Sequence, residues 1–86
     1  MKLQKWDYET HSYKPLEIPD DWVCKTYSFD MDEVVNCPQC GNKFTYGSMY
    51  TSLEIHTSVG FGYGVCEQCH HQELERRLKD EKLRNQ

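Results

Sequence analysis

Four of the five cysteines in this 86-residue chain are paired: Cys37-Pro38-Gln39-Cys40 and Cys66-Glu67-Gln68-Cys69, with 25 residues between the pairs. Two thiolates separated by two residues can face one ion from a single tight turn. Two such pairs close the tetrahedron of sulfurs that Zn²⁺ takes in structural sites. The spacer exceeds the usual zinc pattern of about 15–20 residues by a length that a longer hairpin absorbs. The expected chemistry is therefore one structural Zn²⁺ held by Cys37, Cys40, Cys66 and Cys69. Iron accepts the same four sulfurs, so the donor set leaves an iron centre open.

Size and composition ask for such a centre. A chain this short buries too little apolar surface to be stable without a staple, and only 37% of its residues are hydrophobic while 28% are charged. Metal bound to the folded state alone adds directly to folding free energy, on the order of 10–16 kcal/mol in zinc-finger peptides. Metal-dependent folding is the expectation. The start, Met1-Lys2-Leu3-Gln4-Lys5-Trp6-Asp7, has no apolar export region, and no stretch approaches membrane-spanning length. A cytoplasmic setting follows as the default, where closely paired cysteines are more often metal ligands than disulfides.

The net charge of −4 is unevenly spread: residues 1–36 carry −4, residues 37–69 carry −1 and residues 70–86 carry +1. Binding a phosphate backbone depends on Lys and Arg. The one basic cluster, Arg76-Arg77-Lys79-Lys82-Arg84, is interleaved with acids. Nucleic acid is thus disfavoured as a partner, and a protein is favoured.

Residues 1–36 read as an aromatic, acidic N-terminal wrap over residues 37–86, the two forming one folding unit. Trp6, Tyr8, Tyr13, Trp22, Tyr27 and Phe29 make disorder improbable there. Lys14 to Trp22, with Pro15 and Pro19, predicts an extended or turning connector. Val23 to Phe29 predicts a short strand, Asp30 to Glu33 a helical turn with capping-box spacing, and Val34 to Asn36 a strand leading into Cys37. From Leu53 to Val65 apolar residues alternate with polar ones or glycine, a β signal with one buried face. Gly47-Ser48 marks a turn between Phe44-Thr45-Tyr46 and Met49-Tyr50. Two or three antiparallel strands and no helix are expected between the cysteine pairs. After Cys69 the period changes: His71, Leu74 and Leu78 lie at helical spacing, and acids precede bases at i,i+4. A helix from about Glu67 to about Leu83 follows, packing by its leucine stripe over the first two or three turns.

A knuckle, a β-hairpin, then a cysteine pair on the first turn of a helix resembles a treble-clef zinc finger, from Cys37 to about Leu78. Gly41 can take the left-handed conformation after the second ligand, which lets local N–H groups point at sulfur. The second pair lacks that glycine and begins a helix, aiming free N–H groups and the positive dipole end at the sulfur cluster. The fold class implied is a small α+β zinc-bound domain with an N-terminal extended or β cover. Zinc ribbons and rubredoxins, which use two knuckles, fit less well.

Three rivals use the same residues. Cys66-Glu67-Gln68-Cys69-His70 is a CxxCH haem-attachment string, but that reading leaves Cys37 and Cys40 idle. A thioredoxin-like dithiol needs a βαβ setting that the pattern lacks. Leu53-Glu54-Ile55-His56 with Val65-Cys66-Glu67-Gln68-Cys69-His70 is similar to an HNH nuclease. That resemblance implies His56 as general base, with His70 or His71 holding a catalytic divalent ion. Nine residues separate His56 from Cys66, and Gly60-Phe61-Gly62-Tyr63-Gly64 replaces the catalytic loop.

The expected function is contact: a protein–protein interaction or regulatory module without enzymatic activity, of a kind common among small bacterial and phage proteins. The alternatives are a nucleic-acid-binding finger and an HNH-like nuclease. Phe61, Tyr63, Arg76 and Arg77 form the candidate interaction surface. The bare glycine face of 60–64 predicts a close neighbour: internally Trp6 or Trp22, or else a partner's backbone or a stacked base. Cys24, with no partner at ligand spacing, is expected to be a buried structural thiol.

Overall fold

The computed structural model describes residues 2–84. In chain order the elements are β1 (Lys2–Asp7), β2 (Ser12–Glu17), β3 (Val34–Asn36), β4 (Lys43–Thr45), a 3-10 turn (Tyr46–Ser48), β5 (Tyr50–His56), β6 (Gly62–Val65) and α1 (Glu67–Arg84). The larger sheet is antiparallel throughout, with strand order β2-β1-β5-β6, and β3 and β4 form a separate two-stranded ribbon. Three strands lie between the cysteine pairs, and the helix after Cys66 runs as expected.

The N-terminal segment is more than a cover, because its hairpin supplies two of the larger sheet's four strands. Its loop, Tyr8 to His11, lacks the Asn-Gly or Asp-Gly pair that announces a tight hairpin. It closes by other means: the Asp7 carboxylate accepts a bond from the Glu9 N–H at 2.9 Å, and His11 takes a left-handed φ of 51°. Pro15 lies in β2, an edge strand, where a missing N–H is tolerated.

Val23 to Phe29 is not a strand. The segment is threaded between the edges of both sheets and gives each one backbone–backbone link. Val23 O accepts from Asn36 N at 2.7 Å on β3, and Lys25 O accepts from Gly64 N at 3.1 Å on β6. Residues 30–33 form a turn rather than a helix. Ser28 Oγ, not Glu33, accepts the Asp30 N–H at 3.1 Å, and the Glu33 carboxylate turns to Ser28 and Lys25 instead.

The alternation from Leu53 to Val65 is broken by a turn at residues 57–60, where Gly60 has φ 97° and Thr57 N bonds Phe61 O at 2.8 Å. Both faces of β5 are covered, not one. Ile55 packs with Leu3 and Ile18, joined by Leu16, Trp22, Cys24 and Tyr63. Ser52 and Glu54 are equally buried on the other face, beneath α1. A second apolar cluster gathers Val65, Phe44 and Met49 around Cys37, Cys66 and Cys69.

The helix docks by a different face from the one its leucines suggest. At about 100° per residue, Cys69, Glu73, Arg76 and Asp80 share one side. Cys69 and Glu73 are its buried residues. Leu74 and Leu78 lie on the opposite side, Leu78 at 57% exposure. Cys69 is drawn to the other sulfurs, which sets the rotation of the helix and leaves the leucines outside.

Candidate metal centre

The β3–β4 ribbon carries the first cysteine pair in its turn. Val34, Val35 and Asn36 pair with Thr45, Phe44 and Lys43, and the knuckle closes through Gly41 N to Cys37 O at 2.7 Å and Cys37 N to Asn42 O at 2.9 Å. Gly41 has the left-handed φ of 81° that its position predicts. A Cβ there would lie 2.6 Å from Trp22 Cζ2, so the indole roofs the knuckle. The second pair straddles the end of β6 and the first turn of α1.

These elements bring the Cys37, Cys40, Cys66 and Cys69 sulfurs within 4.8 Å of one another. Cys40 Sγ and Cys66 Sγ are 3.9 Å apart. Four sulfurs about 2.3 Å from a tetrahedral zinc stand roughly 3.8 Å apart, so the donor set and its spacing fit one metal ion. Cys66 N donates to Cys37 Sγ at 3.4 Å, the orientation that favours a thiolate. Burial pushes the Cys37 thiol up, against the pull of the Cys66, Cys40 and Gln39 N–H groups. Burial and then the neighbouring thiols push Cys69 up as well. Burial also raises Cys40, but the Asn42 N–H and the hydrogen-bonding thiols of Cys37, Cys69 and Cys66 outweigh it and bring that thiol down. Three of the four cysteines are buried and Cys40 is exposed; thiols gathered this closely need a cation to ionise as a set, and a bound divalent ion would supply that charge.

The centre is joined to sheet and helix by a buried polar network absent from the sequence-based site. Gln39 stands between the first two cysteines, and its Nε2 donates to Glu54 Oε1 at 2.8 Å and to Glu73 Oε2 at 2.7 Å. Both glutamates are 0% exposed. Arg76 grips Glu54 with two bonds of 2.8 Å. The Tyr8 hydroxyl also bonds Glu54, and burial together with that carboxylate raises its pKa. Glu73 accepts Ser52 Oγ at 2.7 Å and Leu53 N at 2.8 Å, while Ser52 Oγ accepts Glu54 N at 3.1 Å and Ile55 N at 2.8 Å. The register of β5 against β6 shifts between Thr51 and His56. Three consecutive N–H groups in that irregular stretch are thus satisfied by side chains. One signal could have found this network: counting four residues on from the ligand Cys69 lands on Glu73.

Other expected site residues lie apart. His70 stacks on Tyr50 at the start of β5, with ring centroids 5.0 Å apart. His56, at the end of β5, meets Tyr13 edge-on at 5.4 Å. The strand between them spans about 20 Å, so they do not share a site. Arg76 bonds the buried Glu54, and Arg77 forms an exposed i,i+4 pair with Glu81 at 3.4 Å. Phe61 is exposed, whereas Tyr63 is half-buried and packs against the core. Gly62 meets Thr51 and Ser52, Gly64 meets Met49 and the Lys25 carbonyl, and Gly60 faces open space, so neither Trp6 nor Trp22 covers the glycines. Cys24 is half-buried, 3.7 Å from Asn36 O, and burial followed by the nearby Cys37 pushes its thiol up to about 11. Among the described residues no helix is long and apolar enough to cross a membrane. No known protein-family model, curated protein or solved structure matches the chain.

Proposed function

We propose that this is a structural zinc protein of treble-clef type, in which Cys37, Cys40, Cys66 and Cys69 hold one Zn²⁺ and the folded chain works by binding another protein. The observation that carries the proposal is the sulfur tetrad, assembled from a knuckle and a helix N-terminus that are remote in sequence. Zinc is favoured over iron because α1 replaces the second knuckle. A cytoplasmic setting keeps the four thiols reduced and available. Protein contact is favoured by the net charge of −4 and by the engagement of Arg76 and Arg77 with carboxylates.

Elemental analysis of protein purified without added metal tests the first half, with one zinc per chain expected. Chelation, or Cys40→Ser, should abolish the far-UV and near-UV circular dichroism of the fold rather than trim it. A cooperative fold that survives chelation removes the proposal. The second half is tested by affinity capture with and without nuclease treatment: a protein complex persists, whereas a nucleic-acid-bridged one is lost.

A further inference from the structure

Tyr27 and Phe29 form an edge-on aromatic pair, with ring centroids 4.9 Å apart and an interplanar angle of 83°. Both face solvent, Tyr27 at 65% and Phe29 at 90% exposure, and Met31 follows at 52%. Exposed rings on a loose loop would mean little. This loop is pinned from both sides. Tyr46 OH bonds Thr26 O at 3.1 Å, Tyr46 N bonds Glu33 O at 2.8 Å, Gly47 N bonds Met31 O at 2.8 Å and Gly64 N bonds Lys25 O at 3.1 Å. Inside it, the buried Ser28 hydroxyl bonds Glu33 Oε1 at 2.8 Å, and Glu33 also pairs with Lys25. The ordering entropy of the presenting backbone is therefore already spent in the free protein, which is what makes an exposed aromatic effective as an anchor.

The charge around the rings indicates what would cover them. With Glu33 neutralised by Lys25, the loop keeps Asp30 and Asp32, which alternate with Phe29 and Met31. Asp30 Oδ1 accepts only the Asp32 N–H, at 2.9 Å, and among the described residues no cation pairs with either acid. An anionic membrane surface or a nucleic acid would repel this pattern. An apolar pocket rimmed by Lys or Arg would complement it.

We propose that the Tyr27–Phe29 loop is the docking surface, and that its occupant is a protein whose apolar pocket is edged by basic side chains. This rests on the protein-contact reading above and names its surface. Phe29 fills the pocket, while Asp30 and Asp32 set orientation and association rate.

The test places a photoreactive p-benzoyl-phenylalanine at position 29 and, in separate proteins, at positions 61 and 78. Each zinc-loaded protein is irradiated in lysate of the native host. The expected result is a protein adduct from position 29 whose cross-linked peptide is flanked by Lys or Arg. It should be lost with D30N/D32N, and should fade as salt rises. Untagged Phe29→Ala should weaken the same complex by about tenfold or more, with zinc content and circular dichroism unchanged. An adduct from 61 or 78 but not 29 overturns this surface and leaves the protein-contact reading standing. A homodimer adduct at 29, or an adduct indifferent to D30N/D32N, overturns the basic-rimmed occupant. Adducts with nucleic acid only, or none from any position, overturn both.

Discussion

Replacing Gln39 by Met removes an amide from the knuckle while keeping nearly the same length and volume. Two charge-assisted hydrogen bonds disappear, to Glu54 at 2.8 Å and to Glu73 at 2.7 Å. Such bonds are worth about 1.5–3 kcal/mol each. The carboxylates they bridge stand roughly 5 Å apart, where an effective dielectric of about 20 gives a repulsion of about 3 kcal/mol, so the pair cannot close the gap by moving together. Allowing for some relaxation and water entry, a net loss of about 3 kcal/mol is expected. With Zn²⁺ in the sulfur tetrad, as proposed, metal binding and folding are one equilibrium, and that loss should appear as an apparent zinc affinity about a hundredfold weaker. Competition against a chromophoric chelator at neutral pH measures it, with near-native circular dichroism at saturating zinc as the control. The double variant Q39M/E73Q should recover part of the loss, since it removes one of the two facing charges and supplies a new amide donor. An affinity for Q39M within about threefold of wild type would refute the reasoning: it would mean that the buried carboxylates do not depend on the knuckle for their satisfaction.

Three further outcomes follow from the same geometry. Gly41→Ala forces a Cβ to within 2.6 Å of Trp22 at a φ of 81° and should cost about 2–3 kcal/mol in urea unfolding; in a Trp22→Ala background only the backbone part should remain. Burial pushes the Glu54 carboxyl up, but the Arg76 guanidinium, Gln39 and Tyr8 outweigh it and hold the group below its ordinary value of 4.5. A depressed folded pKa gives stability that is complete above that value and lost as pH falls below it. The gap in urea midpoint between wild type and Glu54→Gln, measured with excess zinc, should therefore be full at neutral pH and narrow below about 4.5. Leu78→Ser should change stability by no more than about 0.5 kcal/mol, whereas Glu73→Leu strands the Leu53 N–H, the Ser52 hydroxyl and one Gln39 proton and should cost about 3 kcal/mol or more. Equal effects from the two would place the helix on its other face.

Helix α1 was legible from Glu67 onward because its i,i+4 charge pairs and change of period are local. Its buried face was not. The rule that apolar residues turn inward points to Leu74 and Leu78, yet Cys69 and Glu73 are the residues inside. The β1–β2 hairpin was missed for a related reason: its turn is closed by Asp7 and His11, and its pairing to β5 is settled about fifty residues downstream. Lys25, expected in a strand, finds its partner in Gly64 on the edge of β6.

What the amino-acid order determined by itself is the chemistry of the centre and the pieces that carry it. The two cysteine pairs, the glycine after the first, the β stretch between them and the helix after the second all follow from spacing and local conformational preference. Only the tertiary structure decided which side of the helix faces inward, and with it the burial of Glu54 and Glu73 beneath Gln39. The physical reason is that gathering Cys69 with the other three sulfurs fixes the helix more strongly than a few leucines can. The space beside the centre then had to be filled by side chains able to satisfy the N–H groups that an irregular buried strand leaves without ladder partners, a demand that hydrophobic periodicity does not encode.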